Sequence, residues 1–132
     1  MPQGDCFHAA FERLIHCQIL RDGLQRRIVH GVVSGARNSE VERLRFLHAW
    51  VEYDEPASGV RMVEDFSNNR QIIVPAVLYY ALGRIAAHEC VHYSRREVCE
   101  RAGETGHSGP WAPEHWRIIH ESGGVVERQG AA

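Results

Sequence analysis

The sequence contains a cysteine, a histidine and an aspartate whose types and positions suit nucleophilic catalysis. Cys6 lies in "GDCFHAAFERL", immediately before an apolar run with the period of a helix. The N–H groups at a helix N-terminus and the positive end of its dipole favour a thiolate there. His48 and Asp65 lie in two later segments that we predict to be neighbouring strands. These are the side-chain types of a nucleophile, a general base and the group that orients the base.

The two segments that carry His48 and Asp65 have the pattern of an antiparallel hairpin. Residues 45–54 and 59–67 are rich in β-formers and flank "DEPASG", which is rich in turn residues. A loop that is symmetric about residues 54 to 59 places His48 directly opposite Asp65. Opposed residues of an antiparallel pair have Cβ atoms about 4.5 to 5.5 Å apart. Asp65 is therefore expected to bind one imidazole nitrogen and to leave the other for a thiol.

The elements around the hairpin follow from helical periodicity, caps and turn residues. Helix one is expected to begin at Cys6, and "RRIVHGVVSG" at 26–35 suits a strand. The charged stretch 36–43 suits a connection or one helical turn. Further predictions are a helix from Pro75 to about Gly83, a segment 85–93 that is either a strand or the end of that helix, and a helix after the capping box of Ser94 and Glu97. The remainder is predicted to be rich in loops.

Length and composition indicate one soluble domain. The chain has 132 residues, of which 44% are hydrophobic, enough for a single core. We expect one domain over residues 1–121 and a disordered tail over 122–132. The net charge of −2, without a basic cluster, argues against a nucleic-acid or membrane partner. There is neither a signal-like N-terminus nor an apolar run long enough to cross a bilayer, so a cytoplasmic location is expected.

Three segments together resemble a known group of enzymes. "GDCFHAA" at a helix start, "HAWVE" on a strand and "VEDF" on the next strand resemble the Cys, His and Asp segments of the papain-like and transglutaminase-like cysteine hydrolase superfamily. The resemblance covers residues 4–70, about half of the chain. It implies an α+β, papain-like fold in which an N-terminal helix packs on a small antiparallel β-sheet. It also implies a hydrolase or acyltransferase that acts on an amide or ester bond without a cofactor, with a protein, peptide or small-molecule amide as substrate.

The resemblance also implies roles for individual residues. Cys6, His48 and Asp65 would form the catalytic triad, with the Cys6 N–H as an oxyanion donor. Gln3 is the candidate counterpart of the family's oxyanion glutamine, although it lies closer to Cys6 than the family pattern requires. Trp50 and Trp111 are candidates for the substrate pocket. The oligomeric state and the choice between hydrolysis and acyl transfer stay open.

A second motif supports a rival prediction. "HECVH", residues 88–92, matches the H-E-x-x-H pattern of zinc peptidases, in which His88 and His92 bind the metal and Glu89 is the base. The pattern requires one helix through both histidines. Gly83 and the Ser94 capping box leave little room for such a helix. A zinc metallopeptidase and a non-catalytic binding protein of the same fold are therefore the alternatives to the cysteine enzyme.

Overall fold

The computed structural model describes residues 5–35 and 44–128, which form four helices and a six-stranded antiparallel sheet. The predicted α+β class, with an N-terminal helix on an antiparallel sheet, is confirmed for these residues. The helices are α1 (Asp5–Leu20), α2 (Ala76–Gly83), α3 (Arg95–Thr105) and α4 (Pro113–Ser122). The strands are β1 (Arg27–Ser34), β2 (Leu44–Asp54), β3 (Arg61–Asp65), β4 (Ile72–Pro75), β5 (Val91–Ser94) and β6 (Val125–Arg128).

Strand β2 is the centre of the sheet. The strand order is β4-β3-β2-β1-β5, and β6 also pairs with β2. On one side β1 pairs with β2 over residues 45–52. On the other side β3 pairs with Val51–Asp54 and β6 pairs with Leu44–Phe46. Between these two partners, residues 48–50 of β2 face no strand of the described chain on that side, and this interval contains His48.

Helices cover both faces of the sheet. Because alternate residues of a strand point to opposite faces, β1 and β2 supply side chains to two separate cores. One core packs α1, α3 and α4 against Ile28, Val32 and Leu47; the other packs α2 against Val29 and Trp50. Coverage on both faces explains why β1 is buried at seven of its eight positions rather than at alternate ones.

The hairpin forms as predicted, but in a different register. Tyr53 lies opposite Met62, and the loop 55–60 is closed by a hydrogen bond from the N–H of its first residue to the carbonyl of its last, 2.8 Å. The register is shifted by two residues from the symmetric loop that would place His48 directly opposite Asp65. A shift of two residues keeps every side chain on its predicted face, whereas a shift of one would reverse them all. His48 and Asp65 are therefore diagonal neighbours on the same face.

Several predicted elements agree closely with the structure. Helix one begins at Asp5, one residue before the predicted start, and α2 follows Pro75 as expected. At the start of α3, the Ser94 hydroxyl accepts from the Glu97 N–H and the Glu97 carboxylate accepts from the Ser94 N–H. Segment 85–93 contains a 3₁₀ turn at Ala87–Glu89 followed by β5. The charged stretch 36–43 lies outside the described residues.

The C-terminal part of the chain is more regular than its sequence predicts. Pro113 begins helix α4, and Gly123 and Gly124 adopt positive φ before strand β6. Residues 125–128, which we predicted to belong to a disordered tail, instead pair with β2. The prediction is wrong for these residues because the strand that they pair with lies some 80 positions earlier in the chain. Residues 129–132 lie outside the described residues. Among the described helices, none is both long and apolar enough to cross a membrane.

Candidate active site

Cys6 lies in the first turn of α1, where the end of the helix meets the end of β3. It is the second residue of the helix, and only 6% of its surface is exposed. The carboxylate of Asp5 accepts a hydrogen bond from the N–H of Asn68, 3.2 Å away, which attaches the helix end to the 3₁₀ turn Ser67–Asn69 after β3. The first four N–H groups of a helix have no acceptor within the helix. The N–H of Cys6 is one of these four.

His48 and Asp65 form a buried hydrogen-bonded pair. Nε2 of His48 lies 2.9 Å from Oδ2 of Asp65. Asp65 is the last residue of β3, and its backbone pairs with Ile72 of β4 rather than with β2. The diagonal position still brings the two side chains together, because a carboxylate and an imidazole span the longer Cβ separation of diagonal neighbours.

Cys6 reaches His48 from the other layer of the protein. The Cys6 side chain packs in the α1 core, yet it hydrogen-bonds the imidazole of His48, whose neighbours Phe46 and Trp50 belong to the α2 side. This contact occurs at residues 48–50 of β2, the interval between β3 and β6. Because Nε2 of His48 is engaged by Asp65, Nδ1 is the ring nitrogen left for the sulfur. The structure thus brings together the three residues that the sequence singled out.

The hydrogen bonds of the cluster favour a charged histidine. Burial alone lowers the pKa of His48, but the hydrogen bonds and charges of Asp65 and Cys6 outweigh it and raise this pKa to about 10. Burial likewise opposes ionisation of Asp65, yet His48, Ser67 and Tyr79 together hold the pKa of Asp65 well below its usual range. At neutral pH the imidazole is therefore a cation and the aspartate an anion.

Two residues that donate hydrogen bonds to Asp65 were not predicted from the sequence. The N–H and hydroxyl of Ser67 donate to Oδ1 at 3.1 and 2.6 Å, and the hydroxyl of Tyr79 donates to Oδ2 at 2.7 Å. An aspartate followed two residues later by serine is a local turn signal that could have indicated Ser67. Tyr79 had no such signal, because α2 approaches Asp65 only in the folded chain.

The two tryptophans proposed for the substrate pocket pack on opposite faces of the sheet, Trp50 buried and Trp111 partly exposed. Trp50 is 1% exposed, stacks on His48 with ring centroids 6.2 Å apart, and donates from its indole N–H to Glu52 at 2.8 Å. Trp111 packs on Tyr93, 5.0 Å away, and on His30, 5.3 Å away. Gln3, the oxyanion candidate, lies outside the described residues.

The "HECVH" segment lacks the geometry of a zinc peptidase. His88 and Glu89 lie in the 3₁₀ turn, whereas His92 lies in β5, so the two histidines do not share one helix face. Glu89 instead forms an ion pair with Arg45. Within residues 5–35 and 44–128, no group of three or more His, Cys, Asp or Glu side chains is arranged to hold a metal ion.

The described residues thus define an α+β protein with a Cys-His-Asp cluster where a helix end meets an interval in the sheet. Neither a protein-family model, nor a curated protein, nor a solved structure matches this chain. A functional assignment must therefore follow from the geometry and chemistry of the cluster itself.

Proposed function

We propose that this protein is a cysteine-dependent hydrolase or acyltransferase of papain-like type that acts on an amide or ester bond. One observation carries the proposal: Cys6, at a helix N-terminus, hydrogen-bonds an imidazole whose other nitrogen is bound by a buried carboxylate. Nucleophile, base and orienting group in such contact are the signature of nucleophilic catalysis. Packing alone would account for a buried cysteine, but it would not require the His48–Asp65 pair beside it.

The reaction begins from a thiolate and an imidazolium. The Cys6 sulfur attacks the substrate carbonyl, and the developing oxyanion accepts a hydrogen bond from the Cys6 N–H. His48 then donates its proton to the leaving amine or alcohol, which departs as the C–N or C–O bond breaks and a thioester remains on Cys6. Water or an amine attacks the thioester, His48 takes its proton, and the thiolate is regenerated. Asp65 holds the imidazole in place throughout.

The first prediction concerns the relative reactivity of the four cysteines. Iodoacetamide at about pH 6 should alkylate Cys6 before the others, because its sulfur lies at a helix N-terminus in contact with a charged imidazole, which increases the reactivity of a cysteine. Burial raises the pKa of Cys17 and raises that of Cys90 to about 11, so both are thiols under these conditions. Cys99 is exposed and controls for simple access. Mass spectrometry of tryptic peptides measures the order of labelling, and iodoacetamide is small enough to enter a narrow site.

Variants separate the catalytic role from packing. His48→Ala should abolish the selectivity for Cys6, and Asp65→Ala should reduce it less, because the aspartate acts through the histidine. Hydrolysis of a panel of activated esters and amides should be lost in Cys6→Ser and retained in the matched variant Cys99→Ser. Equal labelling of all four cysteines in the folded protein, or unchanged selectivity in His48→Ala, would show that the protein is a non-catalytic member of its fold.

A further inference from the structure

Tyr79 of α2 contacts two of the side chains that surround the imidazole of His48, Asp65 and Trp50. Its hydroxyl donates to Oδ2 of Asp65 at 2.7 Å, and the same oxygen accepts from Nε2 of His48 at 2.9 Å. The Tyr79 ring lies 5.3 Å from the ring of Trp50, which in turn stacks on His48. Helix α2 thus contacts the Cys-His-Asp cluster from one face of the sheet, whereas α1, which carries Cys6, lies on the opposite face.

The hydroxyl of Tyr79 completes the hydrogen bonding of a buried carboxylate. Oδ1 of Asp65 accepts two hydrogen bonds from Ser67, and Oδ2 accepts one each from His48 and Tyr79. Asp65 is 3% exposed, so water does not readily replace a missing donor. With both oxygens fully engaged, the carboxylate is held in one orientation and in its ionised form.

We propose that Tyr79 is a positioning residue for the triad, an inference that rests on the proposed function. Tyr79 acts through Asp65, to whose Oδ2 its hydroxyl donates. By fixing Oδ2, it keeps Nε2–H of His48 as the donor to Asp65 and so keeps Nδ1 directed at Cys6. The role differs from that of packing because it predicts a change in the pH dependence of Cys6 reactivity.

The test compares Tyr79→Phe with Tyr80→Phe. The two tyrosines are adjacent in α2, and Tyr80 also donates to a buried carboxylate, that of Glu52, so both variants remove the same group from the same helix. The measurement is the rate of Cys6 alkylation by iodoacetamide between about pH 4 and 9. Tyr79→Phe should slow alkylation about tenfold, the effect of one lost donor to a buried charged acceptor. It should also move the acid limb of the profile, the pH range in which the rate falls on acidification, to higher pH, because an imidazole that is no longer held toward the sulfur assists Cys6 less.

Tyr80→Phe should leave the rate within about twofold and the acid limb in place, since Glu52 does not contact the imidazole. Equal effects of the two variants would overturn the proposal and leave Tyr79 a packing residue. If Cys6 of the unmodified protein is not alkylated selectively, the proposed function itself is wrong. If Cys6 is alkylated selectively but Tyr79→Phe changes neither the rate nor the acid limb, only the role of Tyr79 is wrong.

A second replacement keeps the test valid if Tyr79→Phe folds poorly. Incorporation of 3-fluorotyrosine in place of Tyr79 retains the ring and the hydroxyl but makes the hydroxyl a stronger donor. The acid limb should then move to lower pH, opposite to its movement in Tyr79→Phe. An acid limb that stays in place with the fluorinated residue would overturn the proposal.

Discussion

Two buried histidines, His30 and His48, show how partners decide the charge of a buried group. His30 is fully buried among aromatic rings of Phe7, Tyr93 and Trp111, and neither of its nitrogens has a hydrogen-bond partner. Burial, with a smaller contribution from the nearby His115, lowers the pKa of His30 to about 3. His48 is also buried, with 9% of its surface exposed, but its partners raise its pKa to about 10. The first histidine is therefore neutral near pH 7 and the second is charged.

The raised pKa of His48 predicts that the free energy of unfolding falls as the pH rises. From about pH 6.5, where an unfolded histidine loses its proton, to about pH 10, the folded chain holds a proton on His48 that the unfolded chain has released. The contribution of this residue is complete below about pH 6.5 and declines as the pH rises through this window.

His30 predicts a loss of stability in acid. Below about pH 6.5 the unfolded chain binds a proton that the folded chain accepts only near pH 3, so the free energy of unfolding should fall as the pH falls through this window. One such group contributes a slope of about 1.4 kcal/mol per pH unit. His30→Phe retains the ring packing and removes the titrating group, so urea unfolding measured against pH should show a shallower acid slope. The exposed His8→Gln is the control, and an unchanged slope in His30→Phe would contradict the assignment.

At the scale of elements, a buried ion-pair cluster fixes α1 against β3. Glu64 of β3 is 2% exposed and accepts hydrogen bonds from Arg13 of α1, the shortest 2.8 Å, and from Arg26, also 2.8 Å at its shortest. Burial by itself would raise the pKa of Glu64, but the two arginines lower it below its usual value. Since Asp65 follows Glu64 directly, this cluster sets the distance between the helix that carries Cys6 and the strand that carries Asp65.

Glu64→Gln should therefore weaken both the fold and the site. The change removes the charge between two guanidinium groups, and breaking a buried ion pair costs about 3 to 5 kcal/mol. Asp54→Asn is the matched control, because Asp54 pairs with Arg61 at the surface, 51% exposed, where such a pair contributes less than about 1 kcal/mol. Urea unfolding gives the stabilities, and iodoacetamide labelling gives the selectivity for Cys6. Similar losses of stability in the two variants would show that the cluster has no special role.

At the scale of the whole molecule, the last described strand, β6, pairs with the central strand β2 of the sheet. Strand β6 pairs with β2 beside the residues that lead to His48, and the N–H of Leu47 donates to the carbonyl of Gly124 at 2.8 Å. Val126 packs against the α1 core. The C-terminal strand is thus part of the same sheet as the candidate site, although the sequence predicted the domain to end at residue 121.

Two truncations test where the domain ends. A chain of residues 1–121 should be less stable than the full chain by about 2 to 4 kcal/mol, because it loses the hydrogen bonds of β6 and the burial of its valines. A chain of residues 1–128 retains β6 and should unfold at the same urea concentration as the full chain. Equal stability of all three chains would support a domain that ends at residue 121.

Local patterns in the sequence were sufficient for most elements and for the identity of the cluster. The helical period after Cys6, the Ser94–Glu97 capping box and the turn residues before β3 act over a few positions, so they can be read along the chain. The face shared by His48 and Asp65 was also predictable, because alternation along a strand survives a register shift of two residues.

The tertiary structure alone determined the features that require contact between elements distant in sequence. The interval between β3 and β6 at His48 exists because two separate segments pair with the same edge of β2, and no local pattern records a strand order. The contact of Tyr79 with Asp65 requires α2 to fold back onto the face opposite α1, and β6 forms because β2 offers it a partner. Periodicity and caps reflect energies within one segment, whereas strand order, register and layer crossing follow from packing between segments, which only the folded chain defines.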